Sequence, residues 1–245
     1  EYDKAIDYYE KSLAIDLKVH GDQHPSTAGS YNNLGLVWKE KEEYDKAIAY
    51  YNQSLKIHLK VYGDEHTSTG TSYNNLGSVY SNKGEYDKAI EYYEKSLAIK
   101  LKVYGDQHPS TGTSYNNLGL VWDNKGDFKK AIEYYEKSLA IDLKVHGEEH
   151  PSTGTSYNNL GSAWEEKEEY DKAIEYYDKS LAIKLKVYGD QHPLIGTSYH
   201  NLGSAWEEIG ELEKAGEYYD KSLAIDLKIN GEQNSETGLS FFYSA

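Results

Sequence analysis

The stretch HPSTGTSYNNLGLVWDNKGDFKKAIEYYEKSLAIDLKVHG, from His108 to Gly147, decides the fold of this chain of 245 residues. Pro109 suits the first position of a helix, where a missing backbone N–H costs nothing. Residues that fit a buried helical face then follow at i, i+3, i+4 and i+7: Tyr115, Leu118, Gly119 and Trp122. The pattern predicts a first helix that starts at Pro109 and ends near Gly126.

A second helix is predicted from near Asp127 to about Val145, and Gly147 is expected to stop it in a left-handed conformation. Two apolar stripes run along this helix: Ala131, Tyr135, Ser138 and Leu139 form one, and Tyr134, Ile141 and Val145 form the other. A helix with two such stripes packs against two neighbours. We therefore expect each second helix to contact its own partner and the next helix pair.

The same pattern recurs along the chain with a fixed period of 42 residues. The glycine of the Asn-Leu-Gly block, for example, occurs at Gly35, Gly77, Gly119, Gly161 and Gly203. A fixed period between about 20 and 50 residues is typical of stacked repeats. The register predicts a single solenoid over residues 1–245. Its parts are a second helix of an incomplete repeat in 1–21, five complete repeats in 22–63, 64–105, 106–147, 148–189 and 190–231, and the start of a truncated repeat in 232–245.

The order of aromatic, Leu-Gly, aromatic, Ala and aromatic residues resembles the sequence pattern of the tetratricopeptide repeat. In this unit the residues that match the pattern are Tyr115, Leu118, Gly119, Trp122, Ala131 and Tyr135. The long form, with Gly-Asp-x-His-Pro before Asn-Asn-Leu, is most similar to the repeats of kinesin light chains. The resemblance implies an all-α fold, a right-handed α-solenoid of antiparallel helix pairs in a superhelix. It also implies a scaffold for protein–protein interaction.

Composition narrows the classes of partner. The chain has a net charge of −15, and all 26 of its basic residues are lysine. Nucleic-acid binding draws its affinity from neutralised phosphates, so we expect neither nucleic acid nor an anionic membrane surface as a partner. Cysteine is absent and no apolar run approaches a membrane span, which favours a cytoplasmic location. Because the sequence lacks methionine, we expect a fragment of a longer protein.

In tetratricopeptide arrays the first helices line a concave groove that receives a peptide. The resemblance places ten residues of this chain in that groove: Asn33, Asn75, Asn117, Asn159 and Asn201, with Asn32, Asn74, Asn116, Asn158 and His200 beside them. A carboxamide donates and accepts hydrogen bonds, so such a ladder can bind a peptide backbone. The alternative is that the asparagines bond between adjacent repeats and only hold the array together.

The first helices carry no basic residue in their first three turns, for example from Ser110 to Trp122. We therefore expect a groove without basic side chains, whose partner is a protein or peptide but not an acidic carboxylate tail. The copies are also nearly identical: residues 85–105 and 169–189 differ only at Glu94 and Asp178. Near-identical copies predict near-identical grooves, which suits a repetitive partner or an architectural role.

No pattern in the chain indicates catalysis, a metal or a cofactor. The carboxylates lie beside lysines on faces that we expect to be solvated, and each candidate occurs in several copies, whereas an active site is normally unique. Histidines recur before the first helices, at His24, His66, His108, His150 and His192. Adjacent helices pack about 8–10 Å apart, too far for these loops to share one zinc ion. We expect a non-enzymatic protein.

The two ends of the chain suggest an alternative function. Residues 1–21 lack a first helix and residues 232–245 lack a second, and in register the two ends of different molecules make one nicked repeat in which seven positions are absent. Complementary patches that differ from each other form open-ended contacts. The alternative is thus a structural rod, a head-to-tail homo-oligomer that associates through Tyr2, Ile6, Tyr9, Leu13, Leu239, Phe241 and Phe242.

Overall fold

The computed structural model describes residues 2–230, and this part of the chain contains eleven α-helices and no strand. The helices are α1 (Tyr2–His20), α2 (Pro25–Glu40), α3 (Tyr44–Tyr62), α4 (Thr67–Asn82), α5 (Tyr86–Tyr104), α6 (Pro109–Asn124), α7 (Phe128–His146), α8 (Pro151–Glu165), α9 (Tyr170–Tyr188), α10 (Pro193–Ile209) and α11 (Leu212–Asn230). The even-numbered helices are the first helices of the repeats, and the odd-numbered ones are the second helices. The predicted all-α fold of paired helices is confirmed.

The boundaries of α6 and α7 follow the turn residues. Pro109 is the first residue of α6, as predicted, and Asp127 caps α7 by accepting the backbone N–H of Lys130. Gly147 ends α7 with φ 86° and ψ 175°. Its φ is positive, as expected, but its ψ is extended, so Gly147 does not adopt the predicted left-handed helical conformation.

The histidine before each first helix has a structural role that its sequence position did not reveal. His66 is the N-cap of α4, and its Nδ1 atom accepts the backbone N–H of Ser68 at 3.1 Å. The first N–H groups of a helix have no intrahelical partner, so the imidazole satisfies one of them. The same ring stacks on Tyr62, with centroids 4.3 Å apart. The cap recurs at His24, His108, His150 and His192.

We expect His66→Ala to lower the free energy of unfolding by about 1 kcal/mol, the usual effect of losing an N-cap acceptor. Chemical denaturation followed by circular dichroism measures the change. His66→Asn is the matched control, because it also loses the ring stacking on Tyr62 but keeps a side-chain acceptor. Equal unfolding midpoints for the two variants would show that the cap contributes nothing.

Small residues allow the two helices of a pair to approach closely. A Cβ atom on Gly77 of α4 would lie only 2.8 Å from Cδ1 of Tyr93 in α5, so the tyrosine ring occupies the space above the glycine. In the repeat of α8 and α9, Ser180 donates its hydroxyl to the backbone oxygen of Gly154 at 2.8 Å. Leucines of the first helices are fully buried in this layer: Leu34, Leu76, Leu118, Leu160 and Leu202.

The second predicted stripe of α7 is shorter than the sequence pattern suggested. Ile141 is 2% exposed and Tyr134 is half-buried, but Val145 is 43% exposed. Val145 lies in the last turn of the helix, and the equivalent residues Val61 and Val103 are exposed as well. The prediction that Val145 packs in the core was wrong, because the helix runs past the layer that covers its apolar face.

The chain divides into two compact units, residues 1–125 and 126–245. The first unit contains α1 to α6, and the described part of the second contains α7 to α11. Within each unit every helix contacts the next one along the chain. Side-chain hydrogen bonds also join successive first helices of the first unit, α2 to α4 and α4 to α6, and this arrangement positions the candidate site.

Candidate functional site

The predicted asparagine ladder forms hydrogen bonds between adjacent first helices of the first unit. Asn75 of α4 donates its amide to Oδ1 of Asn32 in α2 at 2.5 Å. One repeat further, Asn117 of α6 donates in the same way to Asn74 of α4 at 3.2 Å. These bonds are the ones that the alternative interpretation expected. These hydrogen bonds hold neighbouring repeats together, and they do so whether or not the amides also bind a peptide.

Most of the ten predicted groove residues are half-buried. Those half-buried are Asn32, Asn74, Asn75, Asn116, Asn117, Asn158, Asn159, His200 and Asn201, whereas Asn33 is exposed. In the second unit Asn158 accepts a hydrogen bond from the ammonium of Lys184 at 3.0 Å. The ring of His200 lies 5.3 Å from that of Tyr219. Apart from His200, the ladder thus keeps one residue type, but its hydrogen-bonding partners differ from repeat to repeat.

A cavity of about 280 Å³ opens between the first helices α4 and α6. The first helices line it with hydroxyls and one amide, from Thr67, Thr71, Asn74, Ser110 and Thr113. The second helix α5 contributes Lys100 and Tyr104. Pockets for small ligands measure about 300–1,000 Å³, so this cavity suits one or two side chains of a partner and not a folded domain.

The lysine in this cavity corrects the expectation of a groove without basic side chains. Lys100 is half-buried, and its Nζ atom donates to Oγ of Ser114 at 2.7 Å. In the second unit Lys184 donates to Asn158 and to Ser198, both at 3.0 Å. Burial lowers the pKa of Lys100 and of Lys184, because both ammonium groups are partly removed from water. The basic groups belong to the second helices, whereas the expectation of a groove without basic side chains rested on the residues of the first helices alone.

A signal in the sequence could have revealed this position. The second helices are nearly identical, yet the residue aligned with Lys100 changes from copy to copy: Asp16, His58, Lys100, Asp142, Lys184 and Asp226. The residue four positions later changes with it. Tyrosine follows lysine at Tyr104 and Tyr188, and histidine follows aspartate at His20 and His146. Linked changes at two positions one helical turn apart, in copies that are closely similar, indicate a site whose chemistry differs between repeats.

The residues predicted for end-to-end association do not form one exposed patch in the described part of the chain. Tyr2 is exposed, but Ile6 is buried against Leu34 and Val37 of α2. Tyr9 and Leu13 are half-buried and pack against the same cluster. Leu239, Phe241 and Phe242 lie outside the described residues.

Within residues 2–230, no group of three or more histidine, cysteine, aspartate or glutamate residues is placed to hold a metal ion. None of the helices in the same range has the length and apolar character needed to cross a membrane.

The sequence model of the tetratricopeptide repeat matches the chain five times, over residues 1–58, 38–102, 69–142, 124–184 and 165–228. No curated protein sequence matches it. Several solved structures are similar. BtubC (BKLC) from P. vanneervenii superposes with a TM-score of 0.82 over 96% of this chain and 94% of that one, at 22% identity.

Two other structures are similar over most of their length. Nearly identical TPR-like repeats from Podosopora anserina, assigned to a kinesin light chain, superpose with a TM-score of 0.74 at 28% identity, over 85% of this chain and 99% of that one. MamA from Desulfovibrio magneticus RS-1 superposes with a TM-score of 0.62 at 17% identity, over 83% of this chain and 97% of that one. The last likeness, like that to BtubC, concerns the fold alone.

Proposed function

Because this chain belongs to the tetratricopeptide repeat family, with repeats like those of kinesin light chains, we propose that it is a non-enzymatic scaffold that holds an extended segment of a partner protein along its first helices. Proteins of this family generally mediate protein–protein interaction. The observation that carries the proposal is the cavity between α4 and α6, because it lies on the face where neighbouring first helices meet.

The cavity lining suits a peptide. Thr71 and Thr113 stand on opposite sides, on α4 and α6, and both are exposed. Asn74 adds a half-buried amide, which can accept and donate hydrogen bonds at once. An extended chain presents a backbone N–H or C=O at every residue. A lining of hydroxyls and amides can bind these groups with little regard to the peptide's sequence.

The charge of the protein supports a protein partner over a nucleic acid. A net charge of −15 without a single arginine opposes contact with phosphates. The same charge accelerates association with partners that carry basic segments, since complementary fields raise the association rate.

The asparagine ladder is a poor place to test this proposal by mutation. Asn75→Ala would remove the hydrogen bond to Asn32 and so loosen the contact between α2 and α4. Loss of binding would then have two explanations. Thr71 and Thr113 are better positions, because a larger side chain there fills the cavity and leaves the hydrogen bonds between repeats in place.

We expect peptides selected from a random linear library against this protein to bind at least about tenfold more weakly, or 1.4 kcal/mol, when Thr71 or Thr113 is replaced by tryptophan. The indole would occupy the cavity between α4 and α6. Fluorescence anisotropy with labelled peptides measures the dissociation constants, and circular dichroism checks that each variant is folded.

Glu94→Trp is the matched control, because Glu94 is an exposed residue of α5 that does not line the cavity. The control variant should bind as the unmodified protein does. A library that yields no binder, or peptides whose affinity is unchanged by both threonine substitutions, would refute a peptide-binding role for this face.

A further inference from the structure

The histidine caps of α4 and α6 stand beside the cavity between these two helices. Thr67 directly follows His66, and Ser110 comes two residues after His108; both Thr67 and Ser110 line the cavity. Tyr104 lines the cavity as well and stacks on His108, with ring centroids 4.4 Å apart. The two caps therefore hold part of the cavity wall in place.

Each cap exists only while its imidazole is neutral. Nδ1 of His66 accepts the backbone N–H of Ser68, and Nδ1 of His108 accepts that of Ser110, both at 3.1 Å. An imidazolium carries a proton on both ring nitrogens and has no acceptor left. Imidazole side chains take up this second proton between about pH 8 and pH 5. Mild acid therefore removes the acceptor on which the cap depends.

The groups around His66 come from three elements. On α3 its neighbours are Tyr62, on which it stacks at 4.3 Å, and His58. Burial and then the nearby His66 lower the pKa of His58, so the two imidazoles oppose each other's positive charge. Glu65 precedes His66 in the loop, but it pairs with Lys102 of α5.

The groups around His108 have a similar balance of charge. Lys100 lies two turns earlier on α5, and its ammonium lines the same cavity. Asp106 stands two residues before His108, as Asp64 does before His66. A nearby carboxylate favours the charged form of an imidazole, but it cannot restore an acceptor at Nδ1. Because the positive end of the helix dipole also lies at the cap, we expect a charged ring to turn away from it.

The loosening is confined to the first turn of each helix. Thr69 and Thr111 are fully buried, and each donates its hydroxyl to the backbone oxygen of the glycine that ends the preceding helix, at 2.7 and 2.8 Å. These bonds involve no group that titrates between pH 8 and 5, so they remain in acid. Thr67 and Ser110 precede them in the chain and are the cavity residues that depend on the caps.

We infer that His66 and His108 make the first turns of α4 and α6, and with them the wall of the cavity, sensitive to mild acid. An imidazole that takes up a second proton releases the first turn of its helix. The capped form binds fewer protons than the released form, so the caps are complete near pH 8 and are lost as the pH falls towards 5. A partner segment in the cavity then binds more weakly, and this last step rests on the proposed function.

Hydrogen exchange at the backbone amides of Ser68 and Ser110 tests the inference in the free protein. Mass spectrometry with fragmentation to single residues gives the protection factor of each amide, which corrects for the intrinsic effect of pH on exchange. Between pH 7.5 and 5.5 both protection factors should fall about fivefold, which corresponds to the roughly 1 kcal/mol of a typical N-cap.

The double variant His66→Asn, His108→Asn keeps a capping acceptor at both positions, and this acceptor takes up no proton. Its protection factors should change by less than about twofold over the same pH range. His146→Tyr is the matched control, because it removes an imidazole that caps no first helix and introduces the residue that the chain carries at Tyr62 and Tyr104. This control should lose protection in acid as the unmodified protein does.

A second measurement follows the cavity itself. Linear peptides are selected at pH 7.5 for binding that depends on Thr71 or Thr113, and those without histidine, aspartate, glutamate or free termini are kept, so that their charge is constant. Fluorescence anisotropy should show a dissociation constant at least about threefold higher at pH 5.5 for the unmodified protein. The double variant should bind with nearly the same affinity at both pH values.

The outcomes distinguish this inference from the proposed function. If protection at Ser68 and Ser110 is unchanged in acid, or falls equally in the double variant, the inference is wrong even if peptides bind. A loss of protection without a loss of affinity would overturn the effect on the cavity and leave peptide binding standing. If no peptide is selected, the proposed function fails, and amide exchange alone still decides whether acid releases the two helix starts.

Discussion

Raising the pH from 10 to 12 is expected to unfold this protein, with a loss of several kcal/mol in the free energy of unfolding. The cause is the set of buried tyrosines in the second helices. Burial raises the pKa of Tyr93 to about 12, against about 10 for the side chain in an unfolded chain. One pKa unit corresponds to about 1.4 kcal/mol, so Tyr93 alone contributes roughly 3 kcal/mol in full, of which about 2 kcal/mol is lost between pH 10 and 12.

The sign follows from which form the folded state prefers. The folded chain holds these phenols in their neutral form, so their stabilising contribution is complete below pH 10 and is lost as the pH rises towards the folded pKa. Burial also raises the pKa of Tyr51 and of Tyr177. Tyr177 donates to Glu165 at 2.6 Å, and the negative carboxylate opposes ionisation further. The losses therefore add across repeats.

Circular dichroism at 222 nm and tyrosinate absorbance, recorded between pH 8 and 12.5, should show loss of helix together with ionisation of the buried rings. In Tyr93→Phe the fall in stability between pH 10 and 12 should be smaller by roughly 2 kcal/mol, because one titrating group is removed. Tyr8→Phe is the control, since Tyr8 is exposed. If helix content is unchanged at pH 12 while every tyrosine ionises, burial does not raise the pKa of these tyrosines and the prediction is wrong.

Much of the fold could be predicted because the sequence repeats. The 42-residue period identifies equivalent positions, so a helix start at Pro109 is supported by the same signal in every unit. The spacing of Leu118 and Gly119 then indicates which face is buried, and the structure confirms that both are buried. A helix boundary or buried face that is uncertain in one repeat is supported by the equivalent residues of the other repeats.

The candidate site was harder to predict, because it combines residues of three helices. The sequence placed the asparagine ladder on the first helices, but whether Asn75 bonds a peptide or Asn32 depends on the distance between α4 and α2. Lys100 was missed because it belongs to a second helix and reaches the cavity only where α5 passes beneath α6. Periodicity describes one helix at a time and carries no information about such crossings.

The histidine caps were missed for a different reason. Side-chain caps are usually serine, threonine, aspartate or asparagine, so a histidine before proline was assigned no contact. Both the distance from Nδ1 of His66 to the N–H of Ser68 and the stacking on Tyr62 depend on side-chain torsions. Neither the distance nor the stacking can be predicted from the spacing of residues along the sequence.

Replacing Gly35 by alanine is expected to lower the free energy of unfolding by about 1–2 kcal/mol. A Cβ atom at Gly35 would lie 2.7 Å from both Cδ1 and Cε1 of Tyr51. The Tyr51 ring is 2% exposed and cannot move aside without separating α2 from α3. Overpacking of this kind costs about 1–3 kcal/mol, and the better helix propensity of alanine offsets up to about 1 kcal/mol of it. Chemical denaturation measures the net change.

Gly29 offers a matched control, because it lies in the same helix but a Cβ atom there would meet nothing within 4 Å. Gly29→Ala keeps the gain in helix propensity and lacks the clash, so it should raise the free energy of unfolding by about 0.4–1 kcal/mol. The difference between the two variants isolates the steric contact with Tyr51. If both substitutions stabilise the protein equally, the close approach of α2 to α3 does not depend on glycine, and the recurrence of Gly35 in every repeat needs another explanation.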